Sequence, residues 1–293
     1  MGLQNTILFL ITSFIWGTTW FVIRFQIDST SPVAGVFYRF LLATIIMFLI
    51  NWIFIRKPMK YSWSYHRFFL LQGLFNFCIN YLLTYVAEKT VSSGLVAVTF
   101  TTLIYFNMIG MKVFYQKQIT KNLVIGSIVG FLGILLLFWK EIAQSNFNEA
   151  TILGIIIGVV ATFCASLGNL AAYKNHLNKV PVMTFNSYSM LYGTIFSLII
   201  GLVLNQSFYF PTTSLFVGSL LYLAIFGTVL TFWAYQTLVG NLGAEKAAYT
   251  SLISPVIAIT FSILFEGVTF NILMFVGMIL CFTGNYLALK KSR

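Results

Sequence analysis

Long apolar runs dominate this chain and restrict what it can fold into. Of its 293 residues, 59% are hydrophobic and only 8% are charged, whereas a soluble domain carries about 25% charged residues. A surface that faces water cannot be built from so few charges. A helix that crosses a bilayer needs about 20 mostly apolar residues, and runs of that kind recur along the whole chain. The sequence therefore predicts an integral membrane protein.

The apolar runs predict ten transmembrane helices. In lipid every backbone N–H and C=O must be hydrogen-bonded within the protein, so only helices and closed barrels can span the membrane. The runs are long and do not alternate between apolar and polar residues, which excludes a barrel. The predicted fold class is an all-α integral membrane protein. Its ten helices are predicted at Thr6–Arg24, Val33–Ile55, Phe68–Ala87, Gly94–Phe114, Leu123–Trp139, Ile152–Tyr173, Val182–Leu204, Leu215–Leu238, Ala247–Phe265 and Ile272–Leu289.

The net charge of +11 indicates membrane topology rather than a nucleic-acid partner. With a cytoplasmic N-terminus, 13 of the 17 Lys and Arg residues fall on the cytoplasmic side. This asymmetry follows the positive-inside rule and predicts that both termini are cytoplasmic. No basic stripe with interleaved aromatic residues lies on a soluble segment, so we expect no nucleic-acid partner. The cytoplasmic set is Arg56, Lys57, Lys60, Arg67, Lys112, Lys117, Lys121, Lys174, Lys179, Lys246, Lys290, Lys291 and Arg293, and the outer set is Arg24, Arg39, Lys89 and Lys140.

Reactive and metal-binding side chains are too scattered to predict an active site. Cys78, Cys164 and Cys281 lie in separate predicted helices without closely spaced Cys or His residues, which predicts neither disulfides nor a metal site. The six acidic residues and two histidines form no paired carboxylates and no nucleophile with a base. We therefore expect no cofactor and no enzymatic activity. A membrane-embedded enzyme and a non-transporting scaffold are the alternatives from other classes.

The chain contains an internal duplication. Gly126 and Gly133 recur as Gly277 and Gly284, each 151 residues later. Four of the five prolines also pair at helix entrances within two residues of this shift, Pro32 with Pro181 and Pro58 with Pro211. This predicts two domains, 1–142 and 150–293, each with five helices. Because five is odd, the second unit enters the membrane from the opposite face, which predicts an inverted repeat with a site near the midplane.

Three sequence passages resemble the EamA family of the drug/metabolite transporter superfamily. They are Trp16-Gly17-Thr18-Thr19-Trp20, the passage from Tyr85-Val86-Ala87 through Val91-Ser92-Ser93-Gly94-Leu95-Val96-Ala97, and Gly243-Ala244 through Ser254-Pro255 to Glu266-Gly267. The resemblance covers Thr6 to Leu289. It implies ten helices, a bacterial inner-membrane location and a central cavity that opens alternately to either side. It does not imply one substrate, because the family is similar across exporters of amino acids, other metabolites and drugs.

One departure from the family pattern concerns the fourth predicted helix. It has Ile104 where the ninth has Pro255, 151 residues later. If the fourth helix lacks the kink that a proline introduces, we expect the two halves to gate unequally. Pro255 itself is a candidate hinge, with a static kink as the alternative.

Polar side chains within apolar helices are candidates for a binding site because they are costly in lipid. Three stripes stand at helical spacing: Asn76, Asn80 and Thr84; Thr99 and Asn107, with Thr102 nearby; and Ser166, Asn169 and Tyr173. They line a cavity or form interhelical hydrogen bonds worth about 0.6 kcal/mol each. Aromatic residues could pack against a flat or partly apolar solute, or lie at membrane interfaces. The aromatic candidates are Trp16, Trp20, Tyr81, Tyr85, Trp233, Tyr235 and Tyr249.

Charged candidates are few. Arg39 could bind a substrate carboxylate, or extend outward or cap backbone carbonyls. Glu88 and Glu245 at helix ends are coupling candidates only because acidic residues are scarce. We expect a secondary transporter for a small amphipathic metabolite such as an amino acid, with a broad-range drug exporter as the alternative. Its partners are a small-molecule substrate and the lipid bilayer, while a coupling proton or counter-solute and the oligomeric state stay open.

Overall fold

A computed structural model describes residues 2–55, 60–144, 147–265 and 269–290. Several residues used above lie outside these ranges: Arg56, Lys57, Pro58, Glu266, Gly267, Lys291 and Arg293.

Helices account for almost all of the described chain, and no β-strand occurs within the described ranges. Three π-helical segments, Asn51–Ile55, Gly73–Ile79 and Ile225–Leu230, continue neighbouring α-helices. The α-helices are α1 Leu3–Ile27, α2 Pro32–Ile50, α3 Trp63–Gln72, α4 Asn80–Thr90, α5 Ser93–Phe100, α6 Leu103–Tyr115, α7 Lys121–Leu137, α8 Trp139–Gln144, α9 Glu149–Leu177, α10 Val182–Val203, α11 Ser214–Ala224, α12 Thr231–Leu242, α13 Ala244–Ala247, α14 Thr250–Phe265 and α15 Ile272–Leu289.

Eight helical stretches within the described residues are long and apolar enough to cross a membrane. They confirm the prediction of an all-α membrane protein. The apolar helix α7 has 17 residues, and α14 has 16. The eight stretches are Leu3–Ile27, Pro32–Phe54, Trp63–Thr90, Gly94–Tyr115, Glu149–Leu177, Val182–Val203, Ser214–Leu242 and Ile272–Leu289.

Local sequence signals set where several helices begin. Ser31, Thr120 and Asn271 precede α2, α7 and α15, and each side chain accepts a backbone N–H from the first helical turn. Such caps satisfy donors that have no partner within the helix. Asn271 follows Thr120 by 151 residues, so the two halves begin these helices in the same way.

Other boundaries recur at the same interval. Helices α3, α4, α5 and α7 begin 151 residues before α11, α12, α13 and α15, respectively. The π-helical segment after α3 has its counterpart after α11, with Ile225 following Gly73 by 152 residues. A π-helical turn is uncommon and often lies at a functional site. The π-helical segment therefore recurs after nearly the same number of residues as the paired glycines and prolines do.

Glycine permits close packing between α7 and α15. A Cβ atom at Gly126 would lie 2.6 Å from the Gly284 carbonyl oxygen, and one at Gly277 would lie 2.7 Å from that of Gly133. The paired glycines therefore let the two backbones approach, as small residues do in membrane helix pairs. The pair joins the last long helix of the first half to the last helix of the second.

The fourth predicted helix is interrupted although it has Ile104 where the ninth has Pro255. Helix α5 ends at Phe100 and α6 begins at Leu103. Between them Thr102 N–H donates to the Thr99 carbonyl at 3.0 Å, a three-residue turn, and the Thr99 and Thr102 hydroxyls donate to carbonyls three residues earlier. Threonines can thus interrupt a helix by competing for backbone groups. The fourth predicted helix is thus interrupted without a proline, and unequal gating of the two halves stays a prediction.

Helix α14 runs through Pro255. The neighbouring interruption lies earlier, between α13, which ends at Ala247, and α14, which begins at Thr250. There Tyr249 N–H donates to the Lys246 carbonyl at 3.2 Å, and Leu252 N–H to that of Tyr249 at 3.1 Å. Both halves therefore have a helix broken by three-residue turns near the equivalent place.

Candidate functional site

A cavity of about 90 Å³ lies among α1, α2, α4, α5, α6, α9, α12, α14 and the π-helical segment Gly73–Ile79. By volume it has room for roughly six to nine water molecules. Helices from both halves of the chain contribute to its wall. The lining residues are Trp16, Thr19, Trp20, Ile23, Arg39, Asn76, Asn80, Tyr81, Thr84, Phe100, Leu103, Ala165, Asn169, Phe232, Tyr235, Ser251, Ser254 and Pro255.

The structure brings eight of the residues predicted to bind substrate or act as a hinge to this cavity. They are Trp16, Trp20, Arg39, Asn76, Asn80, Asn169, Tyr235 and Pro255. Five other binding candidates do not line it: Tyr85, Thr99, Thr102, Trp233 and Tyr249.

The five residues away from the cavity have other surroundings. Tyr249 is buried and its hydroxyl donates to the Leu123 carbonyl at 2.6 Å. Tyr85 is also buried, and its hydroxyl donates to Gln26 Oε1 at 3.4 Å. Thr99 and Thr102 donate to carbonyls of their own helical turn. Trp233 lies on the outer side of α12, where 36% of its side chain is exposed. The orientation of each helix about its own axis turns these residues away from the cavity. Amino-acid composition does not reveal that orientation.

Aromatic rings form one wall of the cavity. Trp16 packs against Tyr235 with ring centroids 4.8 Å apart and against Phe232 at 5.6 Å. Trp20 contacts Phe100 at 5.3 Å. The edge-to-face and tilted arrangements fix the orientation of the rings. This wall offers apolar surface to a small solute.

A chain of amide and hydroxyl groups forms a second wall and crosses between the halves. Asn76 Nδ2 donates to Asn169 Oδ1 at 3.2 Å, and Asn169 Nδ2 donates to the Tyr235 hydroxyl at 2.9 Å. Asn80 Nδ2 donates to the Asn76 carbonyl at 3.4 Å. The interhelical hydrogen bonds that the polar stripes predicted are therefore present, and the same side chains line the cavity.

Arg39 is the only charged side chain among the lining residues, all of which are described. It is buried, and two of its nitrogens are bound by the second half of the chain: Nε donates to Thr228 Oγ1 at 2.8 Å and Nη2 to the Gly227 carbonyl at 3.1 Å. Its guanidinium carbon lies 4.7 Å from the centre of the Tyr81 ring. Arg39 thus caps a carbonyl of the π-helical segment, as one alternative predicted, and also lines the cavity.

The two coupling candidates lie outside the lining of the cavity. Both Glu88 carboxylate oxygens are buried without a hydrogen-bond partner in the described part of the chain, and Arg24 and Arg39 act on this carboxylate electrostatically. Glu245 is buried beside Gly243, whose φ of 93° favours glycine. Burial raises the pKa of the Glu245 carboxyl, while its backbone hydrogen bond and the charges of Lys117 and Lys246 lower it.

Several lining residues were not among the predicted binding residues. Phe232 is three residues before Tyr235, and Thr19 lies between the two tryptophans of α1, so helical spacing from a predicted residue could have identified Phe232. Ser251 and Ser254 precede Pro255 on α14. Thr84 belonged to a predicted polar stripe and does line the cavity.

The model of the EamA-like transporter family matches this chain twice, at residues 5–139 and 152–290. Protein PagO of Salmonella typhimurium is 27% identical over 268 residues, which cover 87% of this chain and 83% of PagO. An uncharacterized transporter of Archaeoglobus fulgidus is 25% identical over 99% of this chain and its own full length. The uncharacterized inner membrane transporter YedA of Escherichia coli is 25% identical over 84% of this chain and 77% of YedA.

A solved crystal structure of a protein shares the fold, with a TM-score of 0.80 at 13% identity, covering 99% of this chain and 97% of the other. The eight apolar helices and the bacterial relatives place the chain in the bacterial inner membrane as an integral membrane transporter. Because the family model matches both halves of the sequence, the chain belongs to the EamA-like transporter family.

Proposed function

We propose that this protein is a secondary transporter that carries a small amphipathic metabolite across the inner membrane by alternating access. The observation that carries the proposal is the cavity itself, which combines an aromatic wall, an amide wall and one buried arginine. Such a mixture suits a solute with a polar end and an apolar body. The lining residues predicted from the sequence are the proposed substrate contacts.

The proposed architecture is ten spans in two inverted five-helix repeats, residues 1–142 and 150–293. The two spans beyond the eight long ones would be α7 and α14, which have 17 and 16 residues. Helix starts that recur after 151 residues and two matches to one family model support the duplication. An odd number of spans per repeat would invert the second repeat and place both termini in the cytoplasm.

A buried amide network supports a gate on the proposed cytoplasmic side of the cavity. Gln72 Nε2 donates to Asn186 Oδ1 at 3.0 Å, while Asn175 Nδ2 and Ser189 Oγ donate to Gln72 Oε1 at 3.2 and 3.1 Å. Gln72 belongs to the first half and its three partners to the second. Opening the cavity to this side would require these bonds to break, so substrate binding would have to favour one arrangement of the halves over the other.

The proposal is tested by counterflow in proteoliposomes that contain the purified full-length chain. We expect saturable exchange of a labelled small amphipathic metabolite against the same unlabelled compound inside the vesicles. Formation of a chemically altered product would instead identify an enzyme. Vesicles that retain folded protein and exchange no member of a broad metabolite panel would contradict the carrier mechanism.

A broad-range drug exporter is the second candidate function, and the aromatic wall favours it. Trp16, Trp20 and Phe232 could pack against many flat solutes without directional bonds. The same vesicles distinguish the two: exchange of several unrelated lipophilic drugs with similar affinities supports the exporter. Saturation by one class of metabolite supports the narrower carrier.

A further inference from the structure

Four lysines, named the lysine cluster below, lie where several helix ends meet. The Tyr249 hydroxyl donates to the Leu123 carbonyl at 2.6 Å, and Asn285 Nδ2 donates to the Tyr249 carbonyl at 3.0 Å. These bonds hold the first turn of α7 and the last turns of α15 beside the start of α14. A Cβ atom at Gly126 would lie 2.8 Å from that of Ala288, so the same ends are in close contact. The cluster consists of Lys117, Lys121, Lys246 and Lys290.

Each lysine of the cluster adjoins this junction of helix ends. Lys121 is the first residue of α7, and Lys290 follows the last residue of α15. Lys246 lies in α13, directly before α14. Lys117 and Lys246 both act electrostatically on the Glu245 carboxylate, which brings the segment after α6 to the same place. The side chains of Lys117, Lys121 and Lys290 are exposed, and that of Lys246 is half-buried.

Positive charge exceeds negative charge in this region. Glu245 is the one acidic residue within residues 110–125, 240–250 and 280–290, and its side chain is buried. The N-terminus of a helix carries a partial positive charge, which acidic residues in the first turn usually complement. Helix α7 instead begins with Lys121 and has no acidic residue in its first turn. An anion beside Lys121 would therefore be stabilised both by the lysine and by the helix.

Exposed apolar side chains continue from the lysines along α7 and α15. Ile125 follows Lys121 by one turn and is 51% exposed, while Tyr286 precedes Lys290 by one turn and is 66% exposed. Lys290 Nζ lies 5.9 Å from the centre of the Tyr286 ring, so both side chains lie on one side of α15. Phe282, a further turn along, is also exposed. These surfaces together fit a partner with a negatively charged head and a long apolar body.

We propose that the lysine cluster binds the headgroup of an anionic phospholipid whose acyl chains lie against the exposed side chains of α7 and α15. A lysine ammonium at a helix end reaches headgroup phosphates while its stem stays on apolar surface, and basic sites between transmembrane helices bind such headgroups. A soluble anion would contact the lysines alone, whereas a phospholipid contacts both surfaces.

The arrangement of the cluster goes beyond what membrane topology requires. The positive-inside rule explains why basic residues occur on one side of a membrane. It does not require four of them to meet at one junction of helix ends. The inference also goes beyond the proposed transport function, since it holds whichever solute the protein carries.

Native mass spectrometry of the purified full-length chain in a non-ionic detergent measures lipid binding. The probes are phosphatidylglycerol, phosphatidylcholine with the same acyl chains, and glycerophosphoglycerol, which is the soluble headgroup without chains. We expect phosphatidylglycerol to bind about tenfold or more tightly than phosphatidylcholine, because each lysine near an anionic headgroup contributes about fivefold. We expect no measurable binding of glycerophosphoglycerol, because it lacks the apolar contacts.

Matched double variants assign the binding to the cluster. Lys121→Gln combined with Lys290→Gln removes two exposed charges and should weaken phosphatidylglycerol binding about twentyfold. Lys60→Gln combined with Lys179→Gln removes two charges from exposed lysines outside the cluster and should bind this lipid as the unaltered chain does. Retained thermal unfolding transitions identify folded variants. If the cluster variant does not fold, its two single substitutions replace it, and each should weaken binding about fivefold.

Salt dependence provides a second measurement. Bound phosphatidylglycerol should raise the melting temperature of the unaltered chain, and this rise should shrink between about 0.1 M and about 1 M salt because exposed charges are screened. A rise that persists at high salt would contradict a site built from exposed lysines.

Three binding results would overturn the proposal. Equal affinity for phosphatidylglycerol and phosphatidylcholine would show that the headgroup charge is not recognised. Equally tight binding of glycerophosphoglycerol would identify a site for soluble anions. Equal loss of affinity in the two double variants would assign the effect to net charge rather than to the cluster. None of these measurements involves transport, so their outcome is independent of the proposed function.

Discussion

Trp16 and Trp233 show how strongly a residue's role depends on its place around a helix. Both were predicted to line the transport path, yet Trp16 lines the cavity and Trp233 is 36% exposed on the outer side of α12. Phe232, the residue before Trp233, occupies the cavity wall instead. Successive residues on a helix point about 100° apart. Two neighbouring residues can therefore lie one on the cavity and the other on the outer side of the helix.

We predict that a bound substrate changes the fluorescence of Trp16 but not that of Trp233. Displacing water from a ring within the cavity alters its surroundings, whereas a ring outside the cavity keeps its own. Titration of the purified chain should therefore give a substrate-dependent fluorescence change that Trp16→Phe diminishes and Trp233→Phe preserves. The reverse pattern would contradict the assignment of the cavity as the substrate site.

Glu245 predicts a pH dependence of stability. Burial raises the pKa of its carboxyl above the ordinary value, so the unfolded chain releases this proton at a lower pH than the folded chain does. The stabilising contribution is present below about pH 4.3 and is lost as the pH rises toward the folded-state pKa. We expect the melting temperature in detergent to decline less over that range in Glu245→Gln than in the unaltered chain. Parallel declines would contradict the prediction.

At the scale of elements, the contact between α7 and α15 depends on the absence of side chains. A Cβ atom at Gly133 would lie 2.7 Å from the Cys281 backbone nitrogen and 2.8 Å from the Gly277 carbonyl oxygen. Such contacts require the helices to separate. The same interface contains Gly126 and Gly284, so a change at one position disturbs the whole helix pair.

We predict that Gly133→Ala destabilises the protein by about 1–3 kcal/mol, the usual effect of overpacking. Gly218→Ala is the matched control, since a Cβ atom there would have no neighbour within 4 Å. Alanine has the higher helix propensity at both positions, so the difference between the variants isolates packing. Thermal unfolding in detergent measures it, and equal melting temperatures would contradict the glycine contact.

Helix interruptions were less predictable than helix existence. Pro255 suggested where the ninth predicted helix would bend, but the breaks lie at Thr101–Thr102 and at Ala248–Tyr249, between consecutive helices. Three-residue backbone turns form there, and neighbouring threonine and serine hydroxyls donate to backbone carbonyls. These turns depend on competition between hydrogen bonds of similar strength, which hydrophobic periodicity does not measure.

At the scale of the whole molecule, the proposed inverted repeat predicts which loops share a side of the membrane. Single cysteines at Lys117 and Lys179 should react with a membrane-impermeant maleimide from the cytoplasmic side, and cysteines at Lys89 and Lys140 from the opposite side. All four positions are exposed. The three native cysteines are buried and would be replaced first. Labelling of Lys117 and Lys140 positions from one side would contradict the arrangement.

The sequence alone determined the membrane class, the helical fold and the family, because each depends on local composition and spacing. Apolar length selects helices in lipid, and repeated glycines and prolines mark the duplication. Eight of the residues predicted to bind substrate or act as a hinge do line the cavity, since polar groups at mid-depth are rare and costly.

Only the tertiary structure decided which polar groups meet across the two halves. Arg39 lies 189 residues from Thr228 and Asn76 lies 93 residues from Asn169 along the chain, so no local pattern could pair them. The rotation of each helix about its axis is set by packing against its neighbours. That packing determined which side chains line the cavity.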